Sequence, residues 1–350
     1  MPKTMLNNSH RVAVWMEGSL DDDYGKMGIS AMRYLDNEIV CVIDSTHSGK
    51  VVPEVSPIIE KDILIVDSLE KAQSMGASVL VMGVLTSGGV LPDHWEGTII
   101  KALELGLSLV NGLHVNLNDK YSKHIVDKKN QWIWDTRTPQ FIPKIGSGEA
   151  MKLNNKRVLM IGTDMAAGKM TAGLELYSYL KKKGINTGFV ATGQVGITVT
   201  GKGIPLDAYK LDYACGAVQH AVMQEKDKDV VIVEGQGSVL HPGSTATLPL
   251  MRGTCPTHMI LCHLAHKNSL RSPDWVKIPN LLSFIKLNEE LANVLCTYAN
   301  SKVVGVSLNT SRLNEDEAKS YISKVENETG LPAADVIRFG GEKIFKTIIE

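Results

Sequence analysis

Short runs of Val, Ile and Leu alternate along this chain with longer stretches in which apolar residues recur every three or four positions. The short runs predict buried strands, and the longer stretches predict helices packed on them, the rhythm of βα units feeding a parallel sheet. Residues 11–16 read as a strand, 24–35 as a helix with Met27, Ala31, Met32 and Leu35 on one face, and 39–43 as a strand ending at Asp44. Strands at 63–66, 78–83 and 107–110 and helices at 69–75 and 94–105 continue the pattern. From 119 to 152 it lapses into lysines, tryptophans and prolines that close on Gly146 and Gly148. That stretch reads as a linker, with 132–137 as an alternative docked segment. The rhythm then restarts, with strands at 157–161, 187–191, 230–233, 258–262 and 302–308 and helices at 168–183, 207–224 and 314–328. The expected architecture is α/β, two successive parallel domains spanning 1–150 and 151–350.

Composition narrows the functional classes. A chain of 350 residues exceeds a single ordinary core, and 37 basic against 38 acidic residues leave a net charge of −1. So balanced a charge creates no global field for nucleic acid or an anionic membrane, and neither is expected as a partner. Five cysteines at 41, 215, 255, 262 and 296 show no paired spacing, which argues against a disulfide framework and for a reducing compartment. The first residues lack the apolar core of a signal peptide, and no run approaches the ~18–20 apolar residues that span a bilayer. A cytoplasmic protein is expected. Apolar faces at sheet edges suggest a homo-oligomer.

The 31 glycines cluster where chemistry could sit. The strongest signal is Gly162, Thr163, Asp164, Met165, Ala166, Ala167, Gly168, Lys169, Met170 and Thr171, between a predicted strand and a helix. Small residues there let backbone N–H groups curl around phosphate oxygens, the helix adds its N-terminal dipole, and Lys169 supplies a point charge. The spacing departs from the ordinary phosphate loop. Five residues separate Gly162 from Gly168, and Met170 stands where a hydroxyl would reach Mg²⁺. Thr171 lies one step on, about 100° around the helix. The second signal is Glu234 at the end of a strand, followed by Gly235, Gln236, Gly237 and Ser238, at the edge where open α/β sheets bind ligands.

Other patterns are weaker. The first βα turn, 17–28, lacks the G-x-G-x-x-G spacing of a dinucleotide site, so NAD is not expected although Asp44 stands where a ribose-binding acid would. The turn at 85–89 offers amides that could cradle an anion, or a plain βα loop. His258, Cys262, His263 and His266 lack the spacing of a closed zinc site, and no zinc is expected. Ser238 lacks the elbow of a serine hydrolase. Lys181, Lys182 and Lys183 offset the dipole at a helix end.

The 162–171 loop and the 234–238 turn resemble those of dethiobiotin synthetase within the P-loop superfamily. The whole chain more closely resembles a family long labelled as of unknown function, some of whose members are described as D-glutamate N-acetyltransferases. The matching stretches are Glu17-Gly18, 42–45, 111–114, 162–171, Asp207, Asp212 with 216–217, and 234–238 followed by His241-Pro242. The resemblance implies an N-terminal Rossmann-like domain, a C-terminal P-loop domain, and transfer of acetyl from acetyl-CoA to the amine of D-glutamate. The phosphate loop, formed by Gly162, Thr163, Ala167, Gly168, Lys169, Met170 and Thr171, would then hold the ADP-like end of coenzyme A, which needs no hydrolysis. Acyl transfer to an ammonium needs a base, for which Glu234, Asp164 and His241 are candidates. A small anionic substrate needs cations, for which Arg252, Arg137 and Arg33 are candidates. A rival reading is a Mg·ATP-dependent ligase or kinase, with Thr171, Asp164 and Glu234 around the metal. A third is a nucleotide-binding module without catalysis.

Overall fold

The computed structural model describes residues 5–298 and 300–349. Residues up to 140 with 194–205 form one compact unit, and 141–193 with 206–350 form the other. Residues 141–150, which the sequence division places with the first domain, therefore group with the second. Their attachment is specific: the Gln219 side chain accepts the N–H groups of Ser147 and Gly148 at 2.9 and 2.7 Å. Gly216 lets this strand of chain cross its helix, since a Cβ there would lie 1.6 Å from the Lys144 carbonyl oxygen.

In the first unit the chain runs β1 (Val12–Trp15), α1 (Lys26–Tyr34), β2 (Ile39–Ile43), β3 (Ile65–Val66), α2 (Leu69–Ser74), β4 (Val79–Met82), α3 (Glu96–Glu104), β5 (Ser108–Asn111), α4 (Leu117–Tyr121) and β6 (Ile133–Asp135). All six strands are parallel, in the order β3-β2-β1-β4-β5-β6, which reverses direction between β1 and β4 as in Rossmann-like folds. The strands are buried on both faces, which is why they read as continuous apolar runs. Trp15 and Trp95 meet edge to face at 4.5 Å in the core on one side of the sheet. On the other, α1 approaches β1 so closely that a Cβ on Gly28 would lie 1.9 Å from the Met16 sulfur.

The linker expected over 119–152 is in part structured. It carries the end of α4 and the sixth strand, β6, whose Asp135 accepts the Leu117 and Asn118 N–H groups and the Asn111 amide at 2.7–2.9 Å. A three-residue strand offers too few alternations for its period to show in sequence.

The second unit continues with β7 (Lys156–Gly162), α5 (Lys169–Lys182) and β8 (Thr187–Val190). The chain then enters the first unit through α6 (Gln194–Thr200). It returns with α7 (Leu211–Gln224), β9 (Val230–Val233), α8 (Thr247–Thr254), β10 (His258–Leu264), α9 (Leu281–Asn293), β11 (Lys302–Asn309), α10 (Glu315–Thr329), β12 (Ala333–Ala334) and α11 (Glu342–Ile349). This sheet is also wholly parallel, in the order β12-β11-β10-β7-β9-β8. The helix expected from 207 begins at Leu211, because Leu206–Ala208 forms a separate single turn after Pro205. Strand β7, which delivers the 162–171 loop, lies between β9 and β10, so the loop faces the residues that follow both neighbours. No helix among the described residues is long and apolar enough to cross a membrane.

Candidate functional site

Strand β7 ends at Gly162, and α5 starts at Lys169 after a turn in which Ala166 and Gly168 take positive φ, 49° and 97°. Gly168 tolerates that geometry without strain, and nothing lies within 4 Å of where its Cβ would be. The loop therefore leads into the amide end of a 14-residue helix, the arrangement that favours an anion. Lys169 folds back over the strand end and donates to the Asp164 carbonyl oxygen at 2.7 Å. This path exists because residue 162 is glycine: a Cβ there would lie 2.9 Å from the Lys169 nitrogen. Gly235 makes a second close approach, its Cβ position falling 1.6 Å from the Met160 carbonyl oxygen.

Glu234 follows β9 and is 3% exposed. Its Oε2 accepts the N–H groups of Thr192 and Gly193 at 2.9 and 3.2 Å, and Gln236 donates to its Oε1 at 3.3 Å. Burial pushes the Glu234 carboxyl up to about 7, against the opposing pull of the two amides and Lys169. Burial also brings the Lys169 ammonium down to about 8, less far than it otherwise would because Asp164 and Glu234 are near. A buried acid and a buried amine thus both titrate near neutrality, as proton-transfer sites require.

Asp164 is 1% exposed, and both its carboxylate oxygens accept backbone N–H groups, Met165 at 2.6 Å and Arg271 at 2.7 Å. His241 accepts the Gly243 N–H on Nδ1 at 3.0 Å, so its Nε2 carries the hydrogen donated to the Ser272 carbonyl at 2.6 Å. Thr163 is buried, and its hydroxyl meets His263 Nδ1 at 2.9 Å. His263 reaches the Tyr321 hydroxyl at 3.1 Å and is held down to about 4, chiefly by burial. Ala167 is buried, while Met170 and Thr171 at the start of α5 are half-buried.

The three arginines singled out in the sequence do not all fall in one unit. Arg252 sits on α8, donates to the Leu291 carbonyl at 2.8 Å and covers the Tyr298 ring at 5.0 Å. Arg33 and Arg137 belong to the first unit, where they donate to the carbonyls of Ile58 and Gly112. In that unit Asp44 is fully buried, paired with His47 at 2.8 Å and bonded to the Thr46 N–H. Sequence reasoning missed Thr192, Gly193 and Gln236 as the shell of Glu234, and Arg271 as the partner of Asp164. Gln236 stands two residues from Glu234 in the same turn, whereas Thr192 and Gly193 follow β8 and Arg271 follows β10, so nothing local marks those three. Among the described residues, no group of three or more His, Cys, Asp or Glu is placed to hold a metal ion.

Comparison with known proteins agrees with this layout. A family model described as the P-loop domain of a domain of unknown function, DUF1611_C, matches residues 144–345. The companion Rossmann-like model, DUF1611_N, matches residues 45–139. The chain is 36% identical over 285 residues to a D-glutamate N-acetyltransferase of Tritonibacter scottomollicae, covering 79% of this chain and 83% of that protein. It is 32% identical over 279 residues to a protein of the same name from a Pseudoalteromonas species, with the same coverage. A crystal structure of a DUF1611 family protein from Anabaena variabilis superposes with a TM-score of 0.92 at 40% identity, over 97% of this chain and 99% of that one.

Proposed function

Since the chain belongs to the DUF1611 family, with its Rossmann-like and P-loop domains, we propose that it is an N-acetyltransferase that moves the acetyl group of acetyl-CoA to the amine of D-glutamate or a similar amino-dicarboxylate. The names of the two relatives support the reaction and the substrate. The observation that carries the reading in this molecule is the Glu234 carboxylate, buried, braced by two amides and titrating near 7 beside a phosphate loop.

The amide end of α5 and Lys169 hold phosphate oxygens, here those of coenzyme A. A ligand that needs no hydrolysis has no use for a Mg²⁺-binding hydroxyl, which fits Met170 in that position. The amine arrives as an ammonium with no lone pair, and Glu234 takes its proton. The freed lone pair forms the N–C bond at the thioester carbonyl, the C–S bond breaks, and the leaving coenzyme A thiolate takes the second proton that the acylated nitrogen gives up.

The test is thiol release from acetyl-CoA with D-glutamate, with L-glutamate and no acceptor as controls and Mg·ATP in parallel. Thiol release that depends on D-glutamate is expected. ADP release from ATP without thiol release would replace this reading with the ligase or kinase.

A further inference from the structure

Two of the three residues expected to act as bases, Asp164 and His241, bond to the backbone of one short hairpin. This hairpin lies between β10 and α9, closed by a bridge between Ser269 and Lys277 and by N–H bonds from Leu270 to Val276 and from Ile278 to Asn268, both 2.9 Å. Leu270 is fully buried and anchors it from below. Asp164 fixes the next residue by accepting the Arg271 N–H at 2.7 Å, and His241 fixes the one after by donating to the Ser272 carbonyl at 2.6 Å. The backbone of Arg271, an exposed residue, is thus pinned on the residue whose carbonyl holds Lys169. Two cationic residues bond to opposite ends of Asp164, one through its side-chain nitrogen and one through its backbone.

We propose that Arg271 is a second cationic residue of the phosphate loop, binding a phosphate at the nucleotide end of coenzyme A, and that Asp164 and His241 are positioning residues that hold its hairpin in place. The proposal rests on the phosphate-loop reading of the proposed function. A guanidinium presents a planar fork that matches two phosphate oxygens, where an ammonium offers a point charge. The tethers give both residues a part other than proton transfer: the carboxylate oxygens of one and the ring nitrogens of the other bond to backbone groups.

The test is calorimetric binding of coenzyme A and of ADP, without acceptor, to wild type, Arg271→Ala, Arg271→Lys and His241→Ala. Arg271→Ala is expected to weaken both ligands about 10- to 100-fold, the range for losing a charge-assisted pair, with Arg271→Lys in between. His241→Ala is expected to weaken them less, and to add nothing in the Arg271→Ala background, a coupling that general destabilisation would not produce. Unchanged binding in Arg271→Ala overturns the proposal. So does a higher KM for D-glutamate with coenzyme A binding intact, which would assign the guanidinium to the acceptor's carboxylates. Weakened binding in an enzyme that fails to acetylate D-glutamate would sustain the hairpin's role while removing the proposed reaction.

Discussion

Lys169 donates from its side-chain nitrogen to the carbonyl oxygen of Asp164, five residues back, at 2.7 Å. The bond holds the ammonium over the end of β7 in a place where it is 6% exposed. Removing it should cripple ligand binding more than folding. Lys169→Ala is expected to weaken coenzyme A by about 10- to 100-fold in calorimetry, the range for a charge-assisted hydrogen bond. Equal binding by the variant would refute the phosphate-loop assignment.

The two buried groups set opposite limits on pH. Glu234 can accept a proton only when ionised, so turnover should climb as pH rises through about 7. Lys169 attracts phosphate only when protonated, so ligand binding should weaken as pH rises through about 8. A narrow bell-shaped profile of kcat/KM between those values is expected, its apparent limits belonging to the interacting pair. Glu234→Gln should abolish the acid limb and leave little activity.

Glu234 also makes stability depend on pH. A carboxyl whose folded value is raised from 4.5 to about 7 contributes fully below the unfolded value and loses that contribution as pH rises through the folded one. Above pH 7 the wild type carries this penalty and Glu234→Gln does not, while one Gln oxygen can still accept both amides. The variant should therefore be more stable at pH 8 by about 1–3 kcal/mol, read from denaturant midpoints, with the gap closing below pH 5.

His263 gives the opposite sign. Its folded value is lowered from 6.5 to about 4, so its contribution is intact above 6.5 and is lost as pH falls toward 4. Wild type should lose up to about 3 kcal/mol from this group over that interval, and His263→Gln should flatten that part of the curve. An unchanged slope in the variant would show that His263 does not stay neutral in the fold.

Glycine substitutions should separate fold from helix propensity. Gly235→Ala places a methyl group against the Met160 carbonyl and is expected to cost at least about 2–4 kcal/mol in denaturant unfolding. Gly97→Ala, in α3 with nothing within 4 Å of the new methyl, should instead gain about 0.5–1 kcal/mol.

Much of this was legible in the chain. The strand–loop–helix context of 156–182 follows from an apolar run meeting glycines and a lysine, and β2 occupies the residues its pattern predicts, because strands buried on both faces must be continuously apolar. β6 was not legible, since three residues carry no period, and neither was α6, whose neighbours in the chain belong to a different unit from its own.

The sequence by itself determined that two parallel α/β sheets form and that a phosphate loop ends β7, because these depend on local periodicity and on glycine's missing side chain. Only the tertiary structure decided what the polar residues around that loop do. Asp164 and His241 read as acids and bases in the sequence, and folding bonds both to the backbone of the hairpin that carries Arg271. Glu234 looks like any acid at the end of a strand, and burial raises it toward neutrality against the pull of Thr192, Gly193 and Lys169. The physical reason is that desolvation and hydrogen-bond partners come from loops far apart in the chain, and they meet only once strand order brings them to one sheet edge.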